Sequence, residues 1–136
     1  MQLLGRDNLN AQLKMDRETA AQLVGFISRF ENEQPLYQLS EELMLMPYNY
    51  KEAISDFINF CLREHLIRPD CYIIIDELNK NMENNIWFSN LNEQQVLQCI
   101  GAIISQDRFI DGLINHTIED HTMIRLLNRI KLLYDL

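Results

Sequence analysis

The chain has 136 residues and a formal net charge of −8, with 47% hydrophobic and 24% charged residues, four glycines and three prolines. This length and composition specify one globular domain that can bury its own core; they exclude a disordered chain and a sheet-rich fold dense in turns. The acidic excess disfavours direct nucleic-acid binding, which needs clustered Lys and Arg, and no apolar run approaches the roughly 18 residues of a membrane span.

Residues 3–13 carry only a weak helical pattern. The first clear helix is expected from Arg17 to Glu31, capped by Asp16, with Ala20, Leu23, Val24, Ile27 and Phe30 on one face. Asn32-Glu33-Gln34-Pro35 ends it, because the residue before proline avoids the α region. Leu36 to Met46 is ambiguous: Ser40-Glu41-Glu42-Leu43 opens a helix that Met46-Pro47 must close at once. Tyr50 to Glu64 reads as a strong helix capped by Asn49, with Tyr50, Ala53, Ile54, Phe57, Ile58 and Cys61 on its stripe.

Arg68-Pro69-Asp70 breaks the pattern. Cys71 to Leu78 holds four consecutive apolar residues, which fit either a short buried strand near 71–76 or one turn of buried helix. Glu77 to Asn85 reads as a surface connection, followed by the aromatic pair Trp87-Phe88. Asn90-Leu91-Asn92-Glu93 has capping-box spacing and opens a helix with Val96, Cys99, Ile100 and Ile103, interrupted at Gln106-Asp107. A last helix follows from Thr122, with Ile124, Leu127, Ile130 and Leu133 inward and Arg125, Arg129 and Lys131 favouring its C-terminal dipole. The expectation is a mostly α fold: a compact single-domain bundle, residues 1–136, of about five to six helices.

From 107 onward the residues Asp107, Arg108, Phe109, Gly112, Ile118, Glu119, Met123, Ile124, Leu127 and Arg129 form a pattern. It resembles that of a family of small bacterial domains of unknown function. The Tyr-led helix of residues 47–67, ending in His-Leu-Ile, is similar to that family's earlier helix. The likeness covers residues 47–133, and 107–133 is its most specific part. Two positions depart from it: Ile110 stands where the family usually has Cys, and His121 where it tends to have Gly. The resemblance implies a fold and brings no activity, cofactor or substrate.

Asp107 and Asp111 are four apart and share a helix face, with Arg108 three before Asp111. With Glu119 these four form a candidate ligand or acid–base site. The structural alternative makes Phe109 a core anchor, Gly112 a close helix contact and Arg108 a partner of Glu119 or another acid across a helix–helix junction. His116 and His121 are five apart, about 140° around a helix, which is poor for a shared metal ion. Cys61, Cys71 and Cys99 are odd in number with no close pair; they read as small buried hydrophobes and not as a disulfide framework. No metal site or cofactor is expected.

The charge is uneven. Residues 31–93 carry twelve acids against four bases, whereas the flanking regions are near balance. Such a surface suits a basic protein partner. The expectation leans away from an enzyme and towards an acidic protein-binding domain that masks a basic surface, as immunity proteins, antitoxins and inhibitors do. Glu41, Glu42, Asp56, Asp76, Glu77 and Glu83 would steer the partner, and Trp87 would be buried against it. The N-terminus lacks the basic start and apolar stretch of a signal peptide, so the expected location is cytoplasmic. Homo-oligomerisation stays open.

Overall fold

The computed structural model describes residues 14–39 and 48–136. The chain is mostly helical. Its elements are α1 (Arg17–Asn32), β1 (Tyr37–Leu39), β2 (Tyr48–Tyr50), α2 (Glu52–Arg63), a 3-10 turn (Cys71–Ile74) running into α3 (Ile75–Lys80), α4 (Asn85–Ser89), α5 (Glu93–Gln106), α6 (Leu113–Glu119) and α7 (Thr122–Leu133). The weak helical pattern at 3–13 and the ambiguous stretch from Ser40 to Met46 fall outside the described residues.

Helix α1 begins after Asp16 and buries Ala20, Leu23, Phe26 and Phe30. Helix α2 buries Ala53, Ile54, Phe57, Phe60 and Cys61. Their rings interlock: Phe26 meets Phe57 and Phe60 at centroid separations of 5.4 and 5.6 Å, and Phe30 meets Phe57 at 5.4 Å. Each ring removed from water contributes about 1.5–3 kcal/mol, and edge-on aromatic geometry adds to that. The cap of α2 is Lys51, not the expected Asn49. Asn49 instead pairs with Gln38 in a two-stranded antiparallel ribbon whose register sets Tyr37 opposite Tyr50. The short strand is thus here and not at 71–76.

The 71–76 ambiguity resolves as helix. Ile74 and Leu78, four residues apart, face inward, while Tyr72 and Ile73 are exposed. Four adjacent apolar side chains cannot all lie on the inner side of a helical run. The expected surface connection from Glu77 is in part helix, because α3 extends to Lys80.

Helix α5 is the central element, buried at Val96, Leu97, Cys99, Ile100, Ala102 and Ile103. Its glycine has a packing reason: a Cβ at Gly101 would stand 3.1 Å from the Cβ of Cys71, so a larger residue would push the 3-10 turn outward by a few tenths of an ångström. The capping box is two residues later than the spacing predicts. Asn92 is the cap, bonded reciprocally with Gln95, and Glu93 occupies the first helical position. Glu93 is only 3% exposed. Its carboxylate accepts the backbone N–H of Lys14 at 2.9 and 3.0 Å and the hydroxyl of Tyr134. The Met15 N–H donates to the same hydroxyl at 2.9 Å, and Arg17 donates to the carbonyls of Tyr134 and Asp135. The entry to α1, the start of α5 and the end of α7 are thereby tied into one polar junction.

Helix α7 turns slightly from the predicted stripe: Met123, Leu126, Leu127 and Ile130 are buried, with Ile124 and Leu133 at the margin. Two histidines beside helix ends sit in left-handed backbone. His65 (φ 55°) follows α2, where the Leu66 N–H reaches back to the Cys61 carbonyl at 2.9 Å. His121 (φ 68°) joins α6 to α7. Both are positions where glycine costs least.

Candidate functional site

Asp107 ends α5 as its C-cap residue. One oxygen, Oδ1, accepts the Tyr50 hydroxyl at 2.6 Å and the Ile114 N–H at 3.0 Å. Ile114 lies in the first turn of α6, where N–H groups have no partner within the helix. The carboxylate therefore supplies the cap that Gly112 (φ 72°), which has no side chain, cannot. Burial and the adjacent carboxylate push the Tyr50 phenol well above its ordinary value, so it stays a proton donor.

The other members of the Asp107 constellation do not join it. Asp111 and Arg108 are exposed on the turn between α5 and α6. Neither ion-pairs among the described residues, so Arg108 pairs neither with Glu119 nor with another acid there. Glu119 accepts from the buried amide of Asn115 at 2.6 Å, at the far end of α6. Five residues of helix separate Ile114 from Glu119, about 7.5 Å of rise. Glu119 lines a cleft with Phe30, Glu31, Gln34, Ile118, His121 and Ile124 instead. Phe109 is corrected most sharply: the expected core anchor is 84% exposed, with Ile110 beside it 47% exposed.

The histidines are also dispersed. His116 is on α6, His121 is in the αL link, and His65 ends α2. Among the described residues no group of three His, Cys, Asp or Glu side chains is placed to hold a metal ion. Cys61 and Cys99 are buried, and burial pushes each thiol up to about 12. Cys71 is half-buried near the Ser105 hydroxyl.

The acidic residues singled out by charge divide into three groups. Glu41 and Glu42 lie outside the described residues. Asp56 is bound to Arg29 at 2.8 Å, and the same guanidinium holds Glu33 at 2.6 Å. Asp76, Glu77 and Glu83 are exposed, and no ion pair engages them among the described residues. Trp87 is half-buried, edge-on to buried Phe88 at 5.1 Å.

The sequence reading missed the neighbours of Asp76 and Glu77. Tyr72 is 67% and Ile73 61% exposed. Along the helical run, Tyr72 lies one turn before Asp76 and Ile73 one turn before Glu77, so the four side chains share the outer side. Helical periodicity was the available signal: a run with Ile74 and Leu78 inward leaves 72, 73, 76 and 77 outward. The result is a surface that carries both carboxylates and apolar bulk.

No helix among the described residues is long and apolar enough to cross a membrane. No curated protein and no solved structure matches the chain. A family model described as a family of unknown function, DUF6508, matches residues 15–135. The match covers α1 to α7, and the chain belongs to that family.

Proposed function

We propose that the chain is a non-enzymatic protein-binding domain whose acidic helical face covers a basic surface on a partner protein. One observation carries the reading: Tyr72, Ile73, Asp76 and Glu77 stand together on the outside of a helical run that Ile74 and Leu78 anchor to the core. Carboxylates steer a basic partner from a distance, and exposed aromatic and aliphatic groups lose water on contact. Glu83 adds charge in the following loop, which Arg125 ties to α7 through the Met82 carbonyl at 3.1 Å. A net charge of −8 supplies the long-range field.

Asp56 has a smaller part in this reading than the charge pattern suggests, because Arg29 already neutralises it. The scattering of Asp107, Arg108, Asp111 and Glu119 over separate surfaces weighs against an acid–base site. Bacterial immunity proteins, antitoxins and inhibitors of nucleic-acid enzymes work by the same masking, and the analogy is one of class.

The test is capture from the native host on immobilised protein, run beside an Asp76→Lys/Glu77→Lys variant and identified by mass spectrometry. A partner retained by the native chain and lost by the variant should associate at a rate that falls at least about tenfold from low to high salt. An association rate indifferent to salt sinks the masking mechanism.

A further inference from the structure

The arginines differ in what they are paired with. Arg29, Arg63 and Arg68 each hold a carboxylate. Arg125 and Arg129, four apart on α7, form no ion pair among the described residues, although the chain has twenty acids against twelve Lys and Arg. Four-residue spacing sets both on one side of the helix. They face the same cleft, about 180 Å³ between α4 and α7, which Asn85, Ser89 and Asn128 also line. The lining holds no Asp or Glu.

Both guanidiniums are held by groups that leave their charge unspent. Arg125 lies over the Phe88 ring at 5.6 Å and donates through Nη1 to the carbonyls of Met82 at 3.1 Å and Asp120 at 3.5 Å. Arg129 donates through Nε to the Leu91 carbonyl at 2.7 Å. Carbonyls orient a cation without neutralising it. Nη2 of Arg125 and both terminal nitrogens of Arg129 have no partner among the described residues. Carboxylates raise Arg29 and Arg68, whereas burial alone pulls the half-buried Arg129 below its ordinary value. A cation partly stripped of water with no internal counter-charge is set up to take an anion from outside.

The lining selects the kind of anion. One carboxylate would match only one of the two cations. A phosphate monoester carries a charge of about −1.5 to −2 at neutral pH and three acceptor oxygens, enough for both guanidiniums. Asn85 and Asn128 add neutral amide donors, and Leu132, 69% exposed at the rim, offers an apolar side to an organic group. The volume suits a phosphate with a small substituent. Two cations are too few for a nucleic-acid track. We propose that the cleft between α4 and α7 binds a phosphate monoester, its oxygens on Arg125 and Arg129 and its organic group along Leu132. The site shares no residue with the acidic 72–77 face and does not depend on it.

The probe is phenyl phosphate, compared with benzoate by ¹H–¹⁵N NMR titration at about pH 7.5. Phenyl phosphate should move the Arg129 Nε signal and the Asn128 side-chain amide saturably, and benzoate should bind at least about fivefold more weakly. Lowering the pH to about 5, below the second phosphate ionisation, should weaken phenyl phosphate several-fold. Arg129→Lys keeps the charge but loses the paired donors, and should weaken binding about tenfold. Asn128→Asp places a carboxylate in the cleft from an exposed position, three residues from Arg125, and should abolish the shift in a folded chain. A blocked phosphoserine pentapeptide separates two sources of the group. Binding of the peptide at the same signals supports the site and points to a phosphorylated side chain; binding of phenyl phosphate alone supports it and points to a small metabolite. Equal binding of phenyl phosphate and benzoate, undiminished binding to folded Asn128→Asp, or no saturable shift at Arg129 overturns the proposal. Neither variant alters Tyr72, Ile73, Asp76 or Glu77, so failure here leaves the acidic-face reading standing.

Discussion

The Tyr50 hydroxyl donates to Asp107 Oδ1 at 2.6 Å, and that same oxygen caps α6 through the Ile114 N–H. One carboxylate thus joins the ribbon strand β2, the end of α5 and the start of α6. Asp107→Ala removes the shared charged acceptor of a half-buried phenol and a helix N–H, and should cost about 2–3 kcal/mol in urea unfolding. Tyr50→Phe should cost about 1 kcal/mol, because Asp107 keeps its second donor. A double-mutant cycle should give a coupling of at least about 0.5 kcal/mol. Strict additivity would mean the two groups act separately.

The Glu93 junction is the second polar anchor. Its carboxylate is buried and its acceptors are used by Lys14 N–H and Tyr134. Glu93→Ala should cost about 2 kcal/mol, since the Lys14 N–H and the Tyr134 hydroxyl lose their charged acceptor together. Hydrogen exchange at the Lys14 and Met15 amides reads the effect locally. Unchanged protection of those two amides in Tyr134→Phe would contradict the junction.

Stability should fall at alkaline pH. Burial raises Cys61 and Cys99 to about 12, above the ordinary thiol value of 9.0. Between those limits the unfolded chain has released protons that the folded chain keeps. Each thiol's contribution is therefore complete below about pH 9 and is lost above it, at about 1.4 kcal/mol per pH unit. Tyr50 and Tyr134 are raised as well and act in the same direction above the phenol range. Cys61→Ala/Cys99→Ala should flatten the slope between pH 9 and 10 in thermal melts. An equal slope in both proteins would refute the assignment.

His121 stands in left-handed backbone (φ 68°) between α6 and α7. His121→Gly should stabilise the chain by about 1 kcal/mol, seen as a raised urea midpoint with unchanged m-value. His65→Gly should do the same at the end of α2. A loss in either variant would show that the imidazole makes a contact worth more than the strain.

Phe109 and Arg108 project from the α5–α6 turn. Phe109→Ser and Arg108→Ala should each change stability by no more than about 0.5 kcal/mol, because neither side chain is covered. A loss above 1 kcal/mol for Phe109→Ser would place that ring in the core after all.

How legible each feature was depends on the range of its cause. The long helices were readable because their spacing is local: Arg17, Gln106 and Thr122 mark boundaries set by capping, chain breaks and 3.6-residue periodicity. The capping register was missed by two residues because Asn90 and Asn92 are equally good caps in isolation. Glu93 decided between them by its burial against Tyr134, forty-one residues away. Phe109 was misread because hydrophobicity predicts a preference for the interior and not the presence of a neighbour to cover the ring.

By itself the sequence determined a mostly helical acidic chain, the principal helices and the likeness to a family of unknown function. Local spacing, composition and net charge are enough for that. Tertiary structure decided which side chains are spent and which are available. It tied Asp107 and Asp56 into the fold, buried Glu93, and left Tyr72, Ile73, Asp76 and Glu77 facing outward together. It also held Arg29 between two carboxylates while leaving Arg125 and Arg129 with none among the described residues. Exposure and pairing depend on which distant segments pack against a residue, and no local pattern carries that information.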